Sequence, residues 1–456
     1  MYDVAIVGGG PGGYAAALYA HNFGLSVALV EKDEVGGTCL IRGCIPAKSW
    51  LQSAHVFSMV RRAAEFGVVS SEPTVDWPAA LARKNNIVTG LVKGLAGLLK
   101  ARGVDVIQGY GVLKDGAVEV TATDLSKSMI EAANVILATG SVPRAIPGYD
   151  FDGKRIVSSD HALDWESQPQ RVAIIGGGVI GCEFASLLAD FGSEVHIFEA
   201  LDQLLPGMDP EAVKVLDRTL RKKKVKINTS TMVGPPEMTD DGVIVPFGDK
   251  SVEVDVVLVA VGRAPVTESV GLERTSAVVD RGFVEVDLHT MQTAQPNLFA
   301  VGDIVAATPQ LAHAGFAEGI SAITFIATGT PAPVDYNAIP LVVYTDPEIA
   351  HVGLSAAQAE EQGRAVTVTS HGMRGVGRAI IQGEVGGVVK VVAETDGPII
   401  GATVAGPGAG EMIHELMYTV AWEALPSEAA AYIHAHPTIS EAIGETLLSA
   451  SGRSLH

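Results

Sequence analysis

The stretch "VAIVGGGPGGYAAALYAHNFGLSVALVEK", residues 4–32, decides the fold of the N-terminal part of this chain. It runs from an apolar segment through a glycine-rich turn and an alanine-rich segment to a second apolar segment and a glutamate. The stretch "VAIIGGGVIGCEFASLLADFGSEVHIFEA", residues 172–200, repeats this pattern without a gap. Short β-branched apolar runs that alternate with helical patterns are typical of parallel βαβ units. The repeat therefore predicts an α/β protein with two Rossmann-like domains.

Both copies carry the pattern G-x-G-x-x-G between the first strand and the helix. The first glycine permits the tight turn, the second lets a pyrophosphate approach the backbone, and the third lets the helix pack against the strand. An acid, Glu31 or Glu199, ends the second strand of each copy, where a carboxylate accepts hydrogen bonds from a ribose and repels a 2′-phosphate. We therefore predict two dinucleotide sites, neither suited to NADP; the alternative is two tight turns without a ligand. The glycines of the two patterns are Gly8, Gly10 and Gly13, and then Gly176, Gly178 and Gly181.

Composition narrows the class of protein. The 456 residues are 47% hydrophobic and 18% charged, with a formal net charge of −20, which argues against a nucleic acid partner. The charge suits a basic protein partner, or it serves only to keep the chain in solution. No apolar run reaches the roughly 18 residues of a membrane span. Because the first strand begins directly after Met1, no signal peptide is expected, and we predict a cytoplasmic protein without membrane association.

Two of the three cysteines lie in "GGTCLIRGCIPAK", residues 36–48. A disulfide between Cys39 and Cys44 would constrain little of the unfolded chain, and the sequence shows no further ligands for a metal clip. The amphipathic pattern that follows predicts a helix, and we place the pair at its start, where the helix dipole favours the thiolate. We predict a redox centre and no metal site. Arg42 either lowers a thiol pKa or faces solvent, and Cys182 is expected to be a small buried residue.

The position of the cysteine pair suggests which cofactor occupies each site. The pair follows Glu31 closely, so its chemistry takes place near the first dinucleotide. A dithiol passes two electrons and a nicotinamide passes a hydride, whereas a flavin exchanges with both. We therefore expect FAD at the first site and NAD at the second.

Residues 36–48 resemble the signature of the flavin-dependent disulfide reductases. Further stretches agree with that family: "ATGS" (138–141), "VGRAP" (261–265), "LFAVGDI" (298–304), "QLAH" (310–313), "GPGAGEMIHE" (406–415) and "HAHPTISEA" (434–442). The resemblance implies two Rossmann-like dinucleotide-binding domains, for FAD and NAD, followed by a C-terminal α+β dimerisation domain. It places an FAD domain at 1–145, an NAD domain at 146–265, a central segment completing the FAD domain at 266–335, and an interface domain at 336–456.

The resemblance also assigns roles to the cysteines and their neighbours. Cys39 is the thiol that meets the substrate, and Cys44 is the thiol that packs against the flavin. Lys48 is expected to reach the flavin ring and to pair with Glu183.

A general base is implied near the C-terminus. His436 takes this role, Glu441 orients it, and His434 is the weaker candidate. In the family this histidine comes from the other subunit of a homodimer.

The remaining binding residues follow from the motifs. For FAD they are Gly8, Gly10, Pro11, Gly12, Gly13, Glu31, Lys32, Gly37, Thr38, Cys39, Cys44, Lys48, Gly111, Thr139, Gly140, Ser141, Asp303, Gln310, Leu311, Ala312 and His313. For NAD they are Gly176, Gly178, Val179, Ile180, Gly181, Glu183, Glu199, Val233 and Gly262.

Within the family, the resemblance is closest to the members that oxidise dihydrolipoamide with NAD⁺. These serve 2-oxo acid dehydrogenase complexes and the glycine cleavage system, so the implied partner is a lipoyl-bearing acyltransferase core or a lipoyl carrier protein. One alternative is an NAD(P)H-dependent reductase of glutathione or another low-molecular-weight thiol, although Glu199 argues against NADPH. The other is a flavoprotein scaffold without turnover, which the intact set of cysteines, histidine and acid opposes.

Overall fold

The computed structural model describes residues 1–455 and divides the chain into two compact units. The first unit contains residues 1–49, 79–144 and 263–334. The second contains residues 50–78, 145–262 and the chain from 335 onward. Each unit is therefore assembled from three separate segments of the sequence.

Helices and strands alternate along most of the described chain. The helices are α1 (Pro11–Ala20), α2 (Gly37–Arg42), α3 (Cys44–Arg61), α4 (Trp77–Ala101), α5 (Ser159–Ala162), α6 (Val179–Asp190), α7 (Pro210–Lys222), α8 (Ala312–Thr328), α9 (Ala356–Glu361), α10 (Gly377–Gln382), α11 (Ala409–Ala421), α12 (Pro426–Ala429) and α13 (Glu441–Ala450). The strands are β1 (Tyr2–Val7), β2 (Val27–Glu31), β3 (Asp105–Gln108), β4 (Tyr110–Lys114), β5 (Ala117–Thr121), β6 (Lys127–Ile130), β7 (Ala132–Leu137), β8 (Ser141–Pro143), β9 (Ile156–Val157), β10 (Arg171–Ile175), β11 (Glu194–Phe198), β12 (Lys226–Asn228), β13 (Glu237–Met238), β14 (Val243–Phe247), β15 (Lys250–Val254), β16 (Val256–Val259), β17 (Arg263–Pro265), β18 (Val279–Asp280), β19 (Phe283–Val284), β20 (Leu298–Ala300), β21 (Leu341–Val343), β22 (Glu348–Gly353), β23 (Val366–Gly372), β24 (Val388–Glu394) and β25 (Ile399–Gly406).

A parallel sheet forms the centre of the first unit, in the order β20–β7–β1–β2–β3. Strand β1 is buried from Val4 to Val7, as its continuous apolar run predicts. The chain leaves β1 toward β2 on one side and later adds β7 on the other, so the order reverses beside β1. Ligands of open α/β sheets bind at the carboxyl ends of the strands at such a reversal. The glycine-rich turn after β1 and the "ATGS" motif after β7 both lie at this edge.

The second unit repeats this arrangement with the order β12–β11–β10–β16–β9, in which all strand pairs are parallel. Strand β10 takes the place of β1, and helix α6 takes the place of α1. The repeat in the sequence is therefore a repeat in the structure, and the predicted α/β class is confirmed.

The second unit also contains an antiparallel sheet in the order β21–β22–β25–β24–β23. Helices α11 and α13 cover it. Helix α11 buries Ile413 and Leu416, and α13 buries Ile443 and Leu447, in one apolar core with the sheet. This core fixes the two helices between which the "HAHPTISEA" segment lies.

Candidate active site

The turn after β1 accepts only glycine at two of its positions. Gly8 has φ +107°, and a Cβ there would lie 2.2 Å from the carbonyl oxygen of Ala138. A Cβ at Gly13 would lie 1.9 Å from the carbonyl oxygen of Gly8. The turn is therefore pressed between β7 and α1, and the N-terminus of α1, a type of site that favours phosphate groups, lies directly at the turn. This cradle fits the pyrophosphate of a dinucleotide.

The turn after β10 has the same construction. Gly176 has φ +105°, with a prospective Cβ 2.4 Å from the Ala260 carbonyl oxygen, and a Cβ at Gly181 would lie 2.0 Å from the Gly176 carbonyl oxygen. The predicted Gly178, Val179 and Ile180 lie where α6 begins, and no atom approaches a prospective Cβ at Gly178 within 4 Å. This second cradle also fits a dinucleotide pyrophosphate.

The two predicted ribose acids have matching environments. Glu31 is 8% exposed and accepts hydrogen bonds from the backbone N–H groups of Gly9 at 2.6 Å and Asp33 at 2.8 Å. Glu199 is also 8% exposed and accepts from Gly177 N at 2.7 Å and Leu201 N at 2.8 Å. Each carboxylate is held against its own glycine-rich turn. Because each oxygen has a second lone pair, each can still accept from a ribose hydroxyl.

The two cysteines belong to two different helices rather than to one. Cys44 is the first residue of α3, as predicted, but Cys39 lies in the short helix α2. Gly43 lies between the two helices, and only glycine fits there because a Cβ would lie 2.8 Å from the Thr38 carbonyl oxygen. Cys39 and Cys44 are not joined by a disulfide in this structure, and they share a hydrogen bond. The break in the helix therefore brings the two sulfur atoms together.

The surroundings of the thiols affect their ionisation. The hydrogen bond with Cys44, followed by burial, raises the pKa of the Cys39 thiol, while the charge of Lys48 acts in the opposite direction. Burial raises the pKa of Tyr14 to about 12, with a further contribution from the charges of Cys39 and Cys44. Lys48 is therefore the cation that favours a thiolate here.

Arg42 forms an ion pair with Asp33 and is not among the groups that shift the pKa of Cys39. Its guanidinium donates to a carboxylate oxygen of Asp33 at 2.9 Å, and its side chain is 38% exposed. Of the two roles considered for Arg42, partial exposure to solvent is closer to what the structure shows. The ion pair closes the loop between β2 and α2.

Several predicted flavin residues meet at the carboxyl edge of the first sheet. The Ser141 hydroxyl donates to Asp303, the Gln310 amide donates to the Asp303 carbonyl oxygen at 3.1 Å, and the Thr139 hydroxyl donates to the Val266 carbonyl oxygen at 2.5 Å. These bonds join the "ATGS", "LFAVGDI" and "QLAH" motifs around one point of the sheet edge.

Two residues of this edge were missed in the sequence. Arg263 donates through Nε to Ser141 Oγ at 2.7 Å, and its Nη2 lies 3.4 Å from Thr38 Oγ1, beside Cys39. Glu318 is fully buried in α8 and accepts from Gly302 N at 2.5 Å, next to Asp303. The "VGRAP" motif contains Arg263, but its partners come from distant segments. A lone glutamate in an apolar helical run was the only sign of Glu318.

The other predicted flavin residues lie around the same edge or close to it. A Cβ at Gly37 would lie 2.5 Å from the Gly10 Cα, which brings α2 against the first turn. Gly111 is buried under β2, with a prospective Cβ 3.1 Å from Val30. Pro11 and Gly12 open α1, Lys32 is exposed after β2, Gly140 has φ +70°, and Leu311, Ala312 and His313 form the start of α8.

The predicted pairing of Lys48 with Glu183 joins residues of the two units and stays a prediction. Within the second unit, Glu183 is 4% exposed, and its carboxylate accepts from the backbone N–H of Tyr344 at 3.0 Å. Of the other predicted NAD residues, Val233 bridges to Phe247, and Gly262 is exposed with φ +108°.

The predicted base and its acid are in contact. His436 Nδ1 lies 2.8 Å from Glu441 Oε1, and Glu441 Oε2 accepts from Thr438 N at 2.8 Å. The hydrogen bond from His436, followed by that from Thr438, lowers the pKa of Glu441. The His436 side chain is 78% exposed. Because Nδ1 faces the carboxylate, Nε2 is the nitrogen available for proton exchange.

His434 is in a different environment. Its Nε2 lies 2.7 Å from Glu415 Oε1, and its side chain is 15% exposed. It faces helix α11 rather than solvent, so it is poorly placed to act as a base on an incoming substrate.

Neither a metal-binding cluster nor a membrane-spanning helix is found among the described residues. Within residues 1–455, no three His, Cys, Asp or Glu side chains are grouped so that they could hold a metal ion. None of the helices in this range combines the length and the apolar character that a membrane span needs.

Comparison with known proteins agrees with this geometry. Residues 2–319 match the family "pyridine nucleotide-disulphide oxidoreductase", and residues 339–447 match its dimerisation domain. The dihydrolipoyl dehydrogenase of Bacillus subtilis is 39% identical over 100% of this chain and 99% of its own length. The mitochondrial dihydrolipoyl dehydrogenase 1 of Arabidopsis thaliana is 37% identical over 100% of this chain and 91% of its own.

Solved structures agree as well. LpdA from Mycobacterium tuberculosis superimposes with a TM-score of 0.92 at 28% identity, covering 98% of this chain and 99% of its own. The HOCl-induced flavoprotein disulfide reductase RclA from Escherichia coli gives a TM-score of 0.87 at 26% identity, covering 98% of this chain and 99% of its own. Since the two family models together match residues 2–319 and 339–447, the chain is a member of the pyridine nucleotide-disulphide oxidoreductase family.

Proposed function

We propose that this chain catalyses the dihydrolipoyl dehydrogenase reaction, in which protein-bound dihydrolipoamide is oxidised to lipoamide and NAD⁺ is reduced to NADH. The observation that carries the proposal is the hydrogen-bonded pair of Cys39 and Cys44, which follows directly after the first dinucleotide cradle. The full-length identity of 37–40% to dihydrolipoyl dehydrogenases supports the choice of substrate.

In the first half of the reaction, Cys39 and Cys44 start as a disulfide. His436 takes a proton from one substrate thiol, and the resulting thiolate attacks the Cys39 sulfur, so that a mixed disulfide forms and the Cys44 sulfur leaves as a thiolate. The second substrate thiol then attacks the sulfur of the first, which closes the lipoyl ring, and its proton passes to the departing Cys39 sulfur. Lipoamide leaves, and both cysteines are reduced.

In the second half, the dithiol is oxidised again and NAD⁺ gains a hydride. FAD, when bound, supplies the two-electron transfer between a dithiol and a nicotinamide. The first cradle, with Glu31, Ser141 and Asp303, is suited to FAD. The second cradle, with Glu199, is suited to NAD, and a carboxylate at this position disfavours the 2′-phosphate of NADP.

The proposal includes a homodimer. Residues 339–447 match a dimerisation domain, and we place His436 of the partner subunit opposite Cys39. We also retain the division into an FAD domain (1–145), an NAD domain (146–265), a central segment (266–335) and an interface domain (336–456). The proposed partner is a lipoyl-bearing acyltransferase core or a lipoyl carrier protein. The net charge of −20 on this chain would attract a basic docking surface on that partner. The proposed location is the cytoplasm.

An anaerobic titration of the purified flavin-loaded protein tests the proposal. We expect dihydrolipoamide to produce a long-wavelength charge-transfer band between thiolate and flavin, and added NAD⁺ to yield NADH. Flavin that stays oxidised with dihydrolipoamide, but is reduced by NADH or NADPH, would contradict the lipoyl assignment. It would favour a reductase of another disulfide, which the similarity to RclA makes the second candidate.

Two serine variants sharpen the titration. Cys44→Ser removes one member of the pair and should abolish turnover with dihydrolipoamide. Cys182→Ser is the matched control because Cys182 is buried in α6, donates to the Gly177 carbonyl oxygen at 3.2 Å and has no part in the exchange. It should retain the titration of the unchanged protein.

A further inference from the structure

We propose that His434 and Glu415 form a positioning pair that holds the catalytic segment 434–441 in place, so that His436 can act as the base. The proposal rests on the function proposed above. It concerns a residue that touches neither substrate nor cofactor and that acts through its neighbour.

The segment that carries His436 has little packing of its own. Between α12 and α13, Tyr432 is 80% exposed and Ile433 is 98% exposed. His434 is the first side chain after them that contacts the body of the domain, through the 2.7 Å bond to Glu415 on α11. The segment is then fixed at its other end by Glu441, the first residue of α13. His436 lies between these two attachment points.

Helix α13 provides a recess for the imidazole of His434. A Cβ on Gly444 would lie 2.6 Å from His434 Nδ1 and 3.1 Å from its Cε1. Gly444 has an ordinary helical position, so its backbone does not require glycine there. Glycine costs a helix interior roughly 0.5–1 kcal/mol relative to alanine. The close approach of the His434 ring is the structural reason for a glycine at this site.

The charges around His434 are consistent with a fixed ion pair. The hydrogen bond to Glu415 raises the pKa of His434, and the charges of Glu415 and Glu441 act in the same direction. These two carboxylates, one on α11 and one on α13, are the charged groups that act on the ring. His434 in turn is one of the groups that lower the pKa of Glu441. His434 is therefore linked to the catalytic pair by charge as well as by chain connectivity.

The consequence for catalysis concerns one half of the reaction only. Proton abstraction from dihydrolipoamide needs His436 at the right place, and a displacement of about 1 Å in a catalytic group can cost about 100-fold in rate. Electron transfer from NADH toward the cysteines needs no base. Loss of the positioning pair should therefore slow reduction of the protein by dihydrolipoamide and leave reduction by NADH unchanged.

The test compares four variants of the full-length, flavin-loaded protein in stopped-flow experiments, one of them a control. His434→Ala removes the bond to Glu415, and Gly444→Ala displaces the ring without removing it. Both should lower the limiting rate of reduction by dihydrolipoamide about tenfold or more. His434→Gln keeps a donor toward Glu415 and should recover most of that rate. His414→Gln changes an exposed histidine of α11, the helix that carries Glu415. It serves as the matched control and should leave the rate unchanged.

Each outcome is decisive. Selective loss in the dihydrolipoamide step, with recovery by glutamine, supports the positioning pair. Unchanged rates in both His434→Ala and Gly444→Ala would overturn the proposal, because the anchor would then not be needed. An equal loss in the rate of reduction by NADH would also overturn it, because it would indicate a general structural effect. If dihydrolipoamide fails to reduce even the unchanged protein, the proposed function falls and this inference with it.

Discussion

Replacing Glu199 by glutamine tests how the second dinucleotide site recognises its ligand. The Glu199 carboxylate is buried at the end of β11 and accepts two backbone hydrogen bonds, from Gly177 N and Leu201 N. Glutamine has the same size and keeps one acceptor oxygen, but it carries no charge. One backbone N–H then faces an amide NH₂ group, so that two donors oppose each other.

The magnitude follows from the loss of charge. A hydrogen bond to a charged group contributes about 1.5–3 kcal/mol, and a neutral one about 0.5–1.5 kcal/mol. The bond from the adenosine ribose to residue 199 should therefore weaken by about 1–1.5 kcal/mol, and the Kd for NAD⁺ should rise about tenfold. Because the negative charge that repels a 2′-phosphate is also removed, the Kd for NADP⁺ should fall. The preference for NAD⁺ should then decrease by more than tenfold.

The internal repeat provides the matched control, Glu31→Gln. It makes the same chemical change in the first site, where it should weaken retention of FAD and leave the Kd for NAD⁺ unchanged. The measurements are calorimetric titration of each flavin-loaded variant with NAD⁺ and NADP⁺, and the flavin-to-protein absorbance ratio after gel filtration. An unchanged preference in Glu199→Gln would refute the ribose contact. A change in NAD⁺ affinity in Glu31→Gln alone would mean that the two cofactor sites have been assigned in reverse.

Two further perturbations follow from the packing. A Cβ would lie 1.9 Å from a carbonyl oxygen of the same turn at Gly13 and 2.0 Å from one at Gly181. Gly13→Ala should therefore purify without flavin, whereas Gly181→Ala should keep its flavin but no longer be reduced by NADH. Flavin absorbance measures both effects. Lys223→Met should lower the free energy of unfolding by about 3 kcal/mol, because it leaves the buried Asp190 carboxylate without the cation 2.7 Å away. Burial already raises the pKa of Asp190 despite Lys223, so the penalty on the folded state grows as the pH rises from the unfolded pKa to the folded pKa and is complete above the folded pKa. Loss of Lys223 raises the folded pKa further, so the loss of stability should be smaller at about pH 5 than at about pH 8 in denaturant titrations. The exposed Lys222→Met should change neither value, and an equal loss in both lysine variants would contradict the ion-pair explanation.

The parts of the site that the sequence predicted are those set by local chain geometry. The turns at Gly8 and Gly176 follow from a short pattern in which each glycine is required by a neighbouring strand or helix. The contact of His436 with Glu441 is also local, because the two residues are close in sequence and meet at the start of α13. Sequence spacing alone is enough to suggest such pairs.

The parts that were missed depend on contacts between distant segments. Arg263 reaches Thr38 and Ser141 from far along the chain, and nothing in the "VGRAP" motif shows which groups its guanidinium will meet. The separate helix that carries Cys39 was missed for another reason. The amphipathic pattern locates α3, but the need for a glycine at residue 43 comes from a close approach to the Thr38 carbonyl group that only the folded chain reveals.

The two repeats show how one backbone supports two different chemistries. Tyr14 and Cys182 occupy the same position of the repeated helix, directly after the third glycine. Tyr14 lies near enough to the cysteine pair for the thiolate charges to raise its pKa. Cys182 points into the second unit, where burial raises its pKa, and its thiol donates to a backbone oxygen. Because Cys182 is fully buried, its thiol is out of reach of a substrate although it lies beside a dinucleotide cradle.

The following position differs in the same way. Ala15 in the first copy is replaced by Glu183 in the second, whose carboxylate accepts from Tyr344 N just before the cis peptide at Asp346. Ser186, one turn further along α6, accepts a hydrogen bond from the backbone N–H of Asp346 in the same loop. Asp190, two turns further along, is linked to Asp346 through Lys223, which pairs with both carboxylates. Three side chains on one face of α6 thus connect the helix of the second dinucleotide site to the antiparallel sheet. The first copy has Ala15, Leu18 and Asn22 at the equivalent positions, and these residues are not counterparts of the three side chains of α6. The repeated glycines explain why both units can bind a dinucleotide, and the residues outside the glycine pattern distinguish the two copies. The reactive thiols follow the first copy only, whereas the helix of the second copy is tied to the antiparallel sheet.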